Sequence, residues 1–303
     1  MAREYNGAVA VARRSLGATL AGPRVLLLDG ATGSELERRG VRAELPLWSS
    51  WALLEGQDAL RQIHSDYLAA GVDALTAATF RTQARALAAA GLADRAAELT
   101  RLAVGLAREA VVEAQRPAFV LGSAAPLEDC YHPERVPDAA ALAREHAAHA
   151  RNLVAAGVDA ILVETMNTLR EAVAAARAAK EAGAEALVSF VCGPGARLLS
   201  GEPLAEALDA VAPLALAVGV NCLPPAEVGA CLAPLARCGR PFLVYANLGA
   251  PGAISPEAYA ALAESWVRAG AAAVGGCCGS TPGQLAALAK KLHAAEGPPR
   301  FAG

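Results

Sequence analysis

The stretch Ala70-Gly71-Val72-Asp73-Ala74-Leu75 returns along the chain as Ala156-Gly157-Val158-Asp159-Ala160-Ile161, as Ala182-Gly183-Ala184-Glu185-Ala186-Leu187, and as Ala269-Gly270-Ala271-Ala272-Ala273-Val274. Each copy joins an alanine-rich end, a glycine and a short apolar run, which is how a helix closes on a left-handed glycine and hands over to a strand. Outward from these junctions, short β-type runs alternate with stretches of helical period, such as Leu99, Leu102 and Leu106, or Leu285, Leu288 and Leu292. Alternation of that kind builds a parallel sheet with crossover helices. Strands are predicted over residues 25–28, 74–76, 118–121, 160–163, 186–190, 215–220, 242–245 and 271–274. The junction glycines then mark steps of two, one and three βα units, and eight units without a linker point to a single (β/α)8 TIM barrel. A doubly wound sheet is the alternative. The first strand speaks against it, because it runs into Asp29-Gly30-Ala31-Thr32-Gly33-Ser34 and not into a dinucleotide-binding G-x-G-x-x-G.

Composition narrows the function classes. In 303 residues, 27 Lys and Arg stand against 30 Asp and Glu, a net charge of −3, so the clustered basic excess that nucleic acid or an anionic membrane requires is missing. Hydrophobic residues make up 54% but aromatics only 4%, and alanine supplies the difference, which suits thin, closely packed helices. Such alanine-faced outer helices also leave room for packing against a second copy, as a homo-oligomer. Residues 1–22 are expected to be an N-terminal extension, 23–298 the barrel domain and 299–303 a tail. Arg13-Arg14-Ser15-Leu16 is a weak match to a twin-arginine signal, since Gly17, Gly22 and Pro23 interrupt any apolar core. Seven cysteines are an odd number in a chain long enough to build a core without staples, so a reducing, cytoplasmic setting is expected.

In a (β/α)8 barrel, chemistry sits at the C-terminal ends of the strands. Read in order, those ends offer Asp29; Thr79 and Arg81; Ser123; Glu164 and Thr165; Cys192; Asn221 and Cys222; Asn247; and Gly275-Gly276-Cys277-Cys278-Gly279. Cys222, Cys277 and Cys278 lie on strand ends separated by one intervening strand and can converge. Three thiolates with a fourth position open is the ligand count of a reactive zinc site, whereas a structural zinc is closed by four protein ligands. Cys130, Cys192, Cys231 and Cys238 read as small buried hydrophobes. His146 and His149, three apart on one alanine-rich stretch, read as a solvated helix face.

Gly219-Val220-Asn221-Cys222 followed by Gly275-Gly276-Cys277-Cys278-Gly279 resembles the zinc-binding signature of the homocysteine S-methyltransferase family. The likeness runs from Leu28 through nearly the whole chain. It takes in Asp29-Gly30-Ala31-Thr32-Gly33, Glu164-Thr165, Leu199-Ser200-Gly201-Glu202 and Tyr245-Ala246-Asn247. Relatives often carry Asn where Ala78 stands, so one polar contact is lost here. The resemblance implies a Zn2+ ion on Cys222, Cys277 and Cys278. It also implies a small-molecule pair, homocysteine and a methyl donor: the zinc-bound thiolate of L-homocysteine would take a methyl group, giving methionine.

Metal coordination deprotonates a thiol at neutral pH, so no separate general base is needed. By resemblance, and because paired carboxylates bind an ammonium, Asp29 and Glu164 are expected to hold the amino group. Backbone N–H groups of Ala31 and Thr32, at a helix start, are expected to take the carboxylate. Ser123 and Asn247 are expected to line the site and Asn221 to orient Cys222. With no folate or cobalamin domain legible, S-methylmethionine or S-adenosylmethionine is favoured as donor, and betaine is next.

Four other readings compete. A Schiff-base aldolase needs an amine at a strand end, but the lysines, Lys180, Lys290 and Lys291, all fall in predicted outer helices. A phosphate-binding barrel would use Gly275-Gly276 and leave the cysteines idle. A barrel that binds zinc or a thiol without turnover, or one that methylates a different thiol or selenol, shares the same ligands and differs only in what it turns over.

Overall fold

The computed structural model describes residues 15–293. Eight parallel strands form its centre: β1 (Leu26–Leu27), β2 (Ala74–Ala77), β3 (Phe119–Ala124), β4 (Ala160–Met166), β5 (Ala186–Phe190), β6 (Ala217–Asn221), β7 (Phe242–Ala246) and β8 (Ala271–Gly276). Their hydrogen-bonded order is β1-β8-β7-β6-β5-β4-β3-β2, and a parallel bridge between Leu28 and Ala74 closes the ring. Helices fill the crossovers. The chain is a (β/α)8 barrel, as the junction repeat predicts.

The repeat has a physical basis at both of its polar positions. Gly71, Gly157, Gly183 and Gly270 all have φ between 84° and 105°, where a side chain would be strained. The acid two residues on ties its strand to the neighbour. Asp73 donates its N–H to Leu27 O (2.7 Å) and accepts the Leu27 N–H at Oδ2 (3.1 Å). Asp159 does the same to Val120, at 2.8 and 2.7 Å.

Inside the ring, Leu26, Leu28, Leu121, Leu162, Leu187 and Leu243 pack with Ala74, Ala160, Ala217 and Ala273. The alternate residues, among them Leu27, Leu75, Val120 and Val188, face the helices and join the larger outer core. Leucine and alanine together fill the interior, which accounts for a barrel poor in aromatics.

Two expectations change. Of the extension expected over residues 1–22, positions 16–20 form a short helix (Leu16–Leu20), capped by the Ser15 side chain. Leu16 and Leu20 are buried within the inner core, so this part of the segment plugs the N-terminal end of the barrel. Residues 1–14, and the tail expected at 299–303, lie outside the described residues. The second change concerns His146 and His149, which are buried and not solvated. His146 Nε2 lies 3.2 Å from Glu171 Oε1, and His149 Nε2 3.2 Å from the Ser123 carbonyl. On a helix this rich in alanine, small residues lie on both faces and the pattern does not mark the inner one. Burial pushes His149 down to about 4, so it is neutral at physiological pH.

Leu16→Ala and Leu20→Ala should each cost about 2–3 kcal/mol, the low end for a buried leucine, because the plug sits at the edge of the core. The urea midpoint, at unchanged slope, is the measurement. An unmoved midpoint would show that the plug adds no stability.

Candidate active site

The end of β6 and the end of β8 bring three sulfurs together. Cys222 follows β6 with φ 56°, in the left-handed region, and its N–H is held by Tyr245 O at 3.1 Å. A non-glycine residue in that conformation is uncommon and is held by its surroundings. Cys277 and Cys278 follow β8. The Cys277 N–H bonds to Ala246 O (3.0 Å), Leu248 N–H to Cys278 O (2.8 Å), and Ser280 holds the Cys277 carbonyl with its N–H and its hydroxyl (3.0 and 2.8 Å). The flanking glycines are needed for contact. A Cβ on Gly276 would meet Ser280 Oγ at 2.3 Å, and one on Gly279, at φ +77°, would meet Gly249 O at 2.1 Å.

The Sγ atoms of Cys222, Cys277 and Cys278 lie within 4.8 Å of one another, with Cys222 and Cys278 at 3.6 Å. All seven cysteines are free thiols, and the other four lie outside this cluster. Cys130 is the one of these near it, buried, its thiol pushed up by that burial. Within the cluster, hydrogen bonds from Cys222 and Cys277 hold Cys278 down to about 4, and the same contacts push Cys277 well up. Tyr131 Oη, at 3.1 Å, and Asn247 Nδ2, at 3.7 Å, also reach Cys222 Sγ. The donor set fits a borderline-soft divalent metal: three thiols, none in a disulfide, graded from buried Cys222 to exposed Cys278, which leaves one side open.

Two carboxylates share this end of the barrel. Asp29 Oδ2 accepts the Thr76 N–H (2.7 Å) and Oδ1 the Thr76 hydroxyl (2.9 Å). Glu164 Oε1 accepts from Ser123 Oγ (2.5 Å) and Oε2 from Tyr245 Oη (3.1 Å). Both are buried, and that burial pushes each up to about 7. Hydrogen bonds from Thr76, and from Ser123 and Tyr245, pull the other way. Each carboxylate adds to the other's or to the thiols' charge.

The remaining predicted residues fall into place around these groups. Among the described residues the Asn221 side chain makes no hydrogen bond to Cys222. Its Oδ1 accepts from Thr165 N–H (2.9 Å) and Ser189 Oγ (2.6 Å), and its Nδ2 donates to Thr165 Oγ1 (2.8 Å). It therefore clamps the end of β4, where Thr165 has φ 59° and the register with β5 breaks. Ala31 gives its N–H to Ser280 Oγ (3.0 Å), and Thr32 stands at the N-cap of Gly33–Arg38. Ala78 is buried without a polar contact to make. Tyr131, Ser189 and Tyr245 are site residues that strand-end reading does not pick out. Tyr131 lies on a loop without period, and Ser189 and Tyr245 act from inside their strands.

A cavity of about 720 Å3 opens at the opposite, N-terminal end, by the Leu16–Leu20 plug and the ion pairs Arg24–Asp73 and Arg108–Asp159. It is remote from the thiols. Among the described residues no helix is long and apolar enough to cross a membrane.

A barrel with three convergent thiols that could hold a metal ion and two buried carboxylates at its C-terminal mouth is the frame of a group-transfer enzyme. The chain belongs to the homocysteine S-methyltransferase family, whose sequence profile matches residues 26–292, and it is a methyltransferase of that class. It is 32% identical to homocysteine S-methyltransferase YbgG of Bacillus subtilis, over 88% of this chain and 95% of that one. It is 28% identical to a selenocysteine methyltransferase of Astragalus bisulcatus, over 91% and 94%. The homocysteine methyltransferase MmuM of Escherichia coli in its metallated form superposes with a TM-score of 0.82 at 31% identity, over 92% of this chain and 100% of that one. The apo form of the same protein gives 0.73.

Asp29 and Glu164 hold protons in the folded state that the unfolded chain has given up. Their contribution to stability is complete below about pH 4 and is lost as pH rises to about 7. In metal-free protein, Asp29→Asn should therefore gain stability relative to wild type across that window. Denaturation midpoints at a series of pH values check it, and a constant difference would contradict the burial of an ionisable group there.

Proposed function

We propose that the protein transfers a methyl group from a small onium donor to the sulfur of homocysteine, giving methionine, with Zn2+ held by Cys222, Cys277 and Cys278. The observation that carries this reading is the three-thiol cluster beside two buried carboxylates. When bound, zinc supplies the Lewis acidity that makes a coordinated thiol a thiolate at neutral pH.

The chain's own residues do the rest. Asp29 and Glu164 ionise when an ammonium arrives, because its charge offsets the burial that keeps them protonated. Ser123 and Tyr245 fix the Glu164 carboxylate, and His149 and Thr79 fix Ser123 by its carbonyl, at 3.2 and 2.9 Å. Since the Ala31 N–H is already given to Ser280, Thr32 is left of that pair to meet the substrate carboxylate. Holding homocysteine at three points leaves its sulfur at the mouth, where the reaction needs mainly alignment. The sulfur lone pair forms the new bond to the methyl carbon. The old bond's electrons stay on the donor's sulfur or nitrogen, which becomes neutral, and the thiol proton goes to solvent.

Thiols and carboxylates at one mouth favour a positively charged donor. S-methylmethionine and S-adenosylmethionine lead, followed by betaine. The likeness to a selenocysteine methyltransferase makes a selenol the second acceptor to try.

Purified protein should carry about one zinc per chain, lost in Cys222→Ala and Cys278→Ala, and should form methionine from homocysteine with at least one of these donors. Glu164→Gln should raise the homocysteine KM roughly 10–100-fold, the worth of one charged hydrogen bond. Methylation by folded, metal-free protein would overturn the mechanism. Stoichiometric zinc without turnover across the panel would leave a binding protein.

A further inference from the structure

Arg81 lies just past β2 and is 4% exposed. Its Nη1 donates to the Glu128 carbonyl at 3.0 Å, while Nε and Nη2 are buried and have no hydrogen-bond partner, and no carboxylate lies within ion-pair distance of the guanidinium among the described residues. Two rings flank it, Trp48 with its centroid 5.2 Å from Cζ and Phe80 at 5.6 Å, the rings themselves 5.5 Å apart. Both are half-buried, and Trp48 is held at φ 46°, a conformation tryptophan rarely adopts. A buried guanidinium with two unspent donors is costly unless something binds it.

Its position suggests what that is. The loop over residues 128–131 meets Arg81 through Glu128 O and Cys222 through Tyr131 Oη. Cys130, between them, feels both the Arg81 charge and those of Cys222 and Cys278. One side of this loop is therefore positive with a forked donor free, and the other carries thiols. Glu128, Asp129 and Glu171 act on the Arg81 charge from nearby, but none of their carboxylates pairs with it. A small molecule with a carboxylate at one end and an onium centre at the other matches that polarity, whereas a plain cation would meet a guanidinium whose free donors it cannot fill. Resting on the methyl-transfer reading, we propose that Arg81, framed by Trp48 and Phe80, receives the carboxylate of the methyl donor and selects zwitterionic over purely cationic donors.

Glu171 Oε2 is also buried without a partner and acts electrostatically on Arg81, so a purely structural pairing is the rival. The test uses zinc-loaded wild type, Arg81→Gln and Arg81→Lys with S-methylmethionine, glycine betaine and the carboxamide of each. Donor binding by calorimetry and KM for methionine formation are measured separately. Wild type should prefer each acid over its amide. Arg81→Gln should weaken the acids about 10–100-fold and leave the amides and homocysteine within about twofold, and Arg81→Lys should recover part of the loss. Equal loss for acid and amide overturns the proposal, as does failure of wild type to bind either acid. A lowered melting temperature with unchanged discrimination also overturns it and assigns Arg81 to Glu171. Selective binding without methionine formation would keep the subsite and remove the methyl-transfer reading. Methionine formation without discrimination would do the reverse.

Discussion

Three thiol sulfurs within 4.8 Å of one another cannot all ionise unless a cation shares their charge. That constraint organises the mouth of this barrel. It explains the left-handed backbone at Cys222, the glycines that let the turn after β8 press against Ser280 and Gly249, and the depressed Cys278 beside the raised Cys277. A divalent cation would relieve it by replacing protons with one ion, of charge +2, shared among three sulfurs.

The carboxylates follow the same logic of deferred compensation. Asp29 and Glu164 are each given two hydrogen bonds and no cation, so burial prevails and both sit near neutrality. Groups with such a raised pKa would change charge readily if a cationic group came beside them, as the proposed function requires. Their supports come from several strands: Thr76 on β2, Ser123 on β3, Tyr245 on β7, and Asn221 on β6 through Thr165. A parallel barrel brings such distant residues to one end, and short, rigid strands hold them there.

The fold was legible because its repeat is chemical as well as periodic. A left-handed glycine recurs at the same point of four units, and in two of them it is followed by an aspartate that bonds the neighbouring strand. The strand ends were less so: β3, β4, β6, β7 and β8 all continue past their predicted limits, through Ser123, Glu164, Asn221, Ala246 and Gly275-Gly276. Those residues are polar or small because they serve the mouth, and they therefore do not read as strand. The cysteines could be sorted by address alone, but Asn221 could not. Its place beside Cys222 in the chain suggested one partner, and its side chain turns to Thr165 and Ser189. Tyr131 belongs to the site only through the path of a loop, and the plug helix, His146 and His149 are buried through contacts distant in sequence.

The central claim is that Cys222, Cys277 and Cys278 act as one metal-binding point. Zinc K-edge absorption of the zinc-loaded protein tests it most directly, by counting sulfur neighbours. The account predicts three in the wild type and two in Cys277→Ser. Fewer than three in the wild type, or a count that Cys277→Ser leaves unchanged, would contradict it.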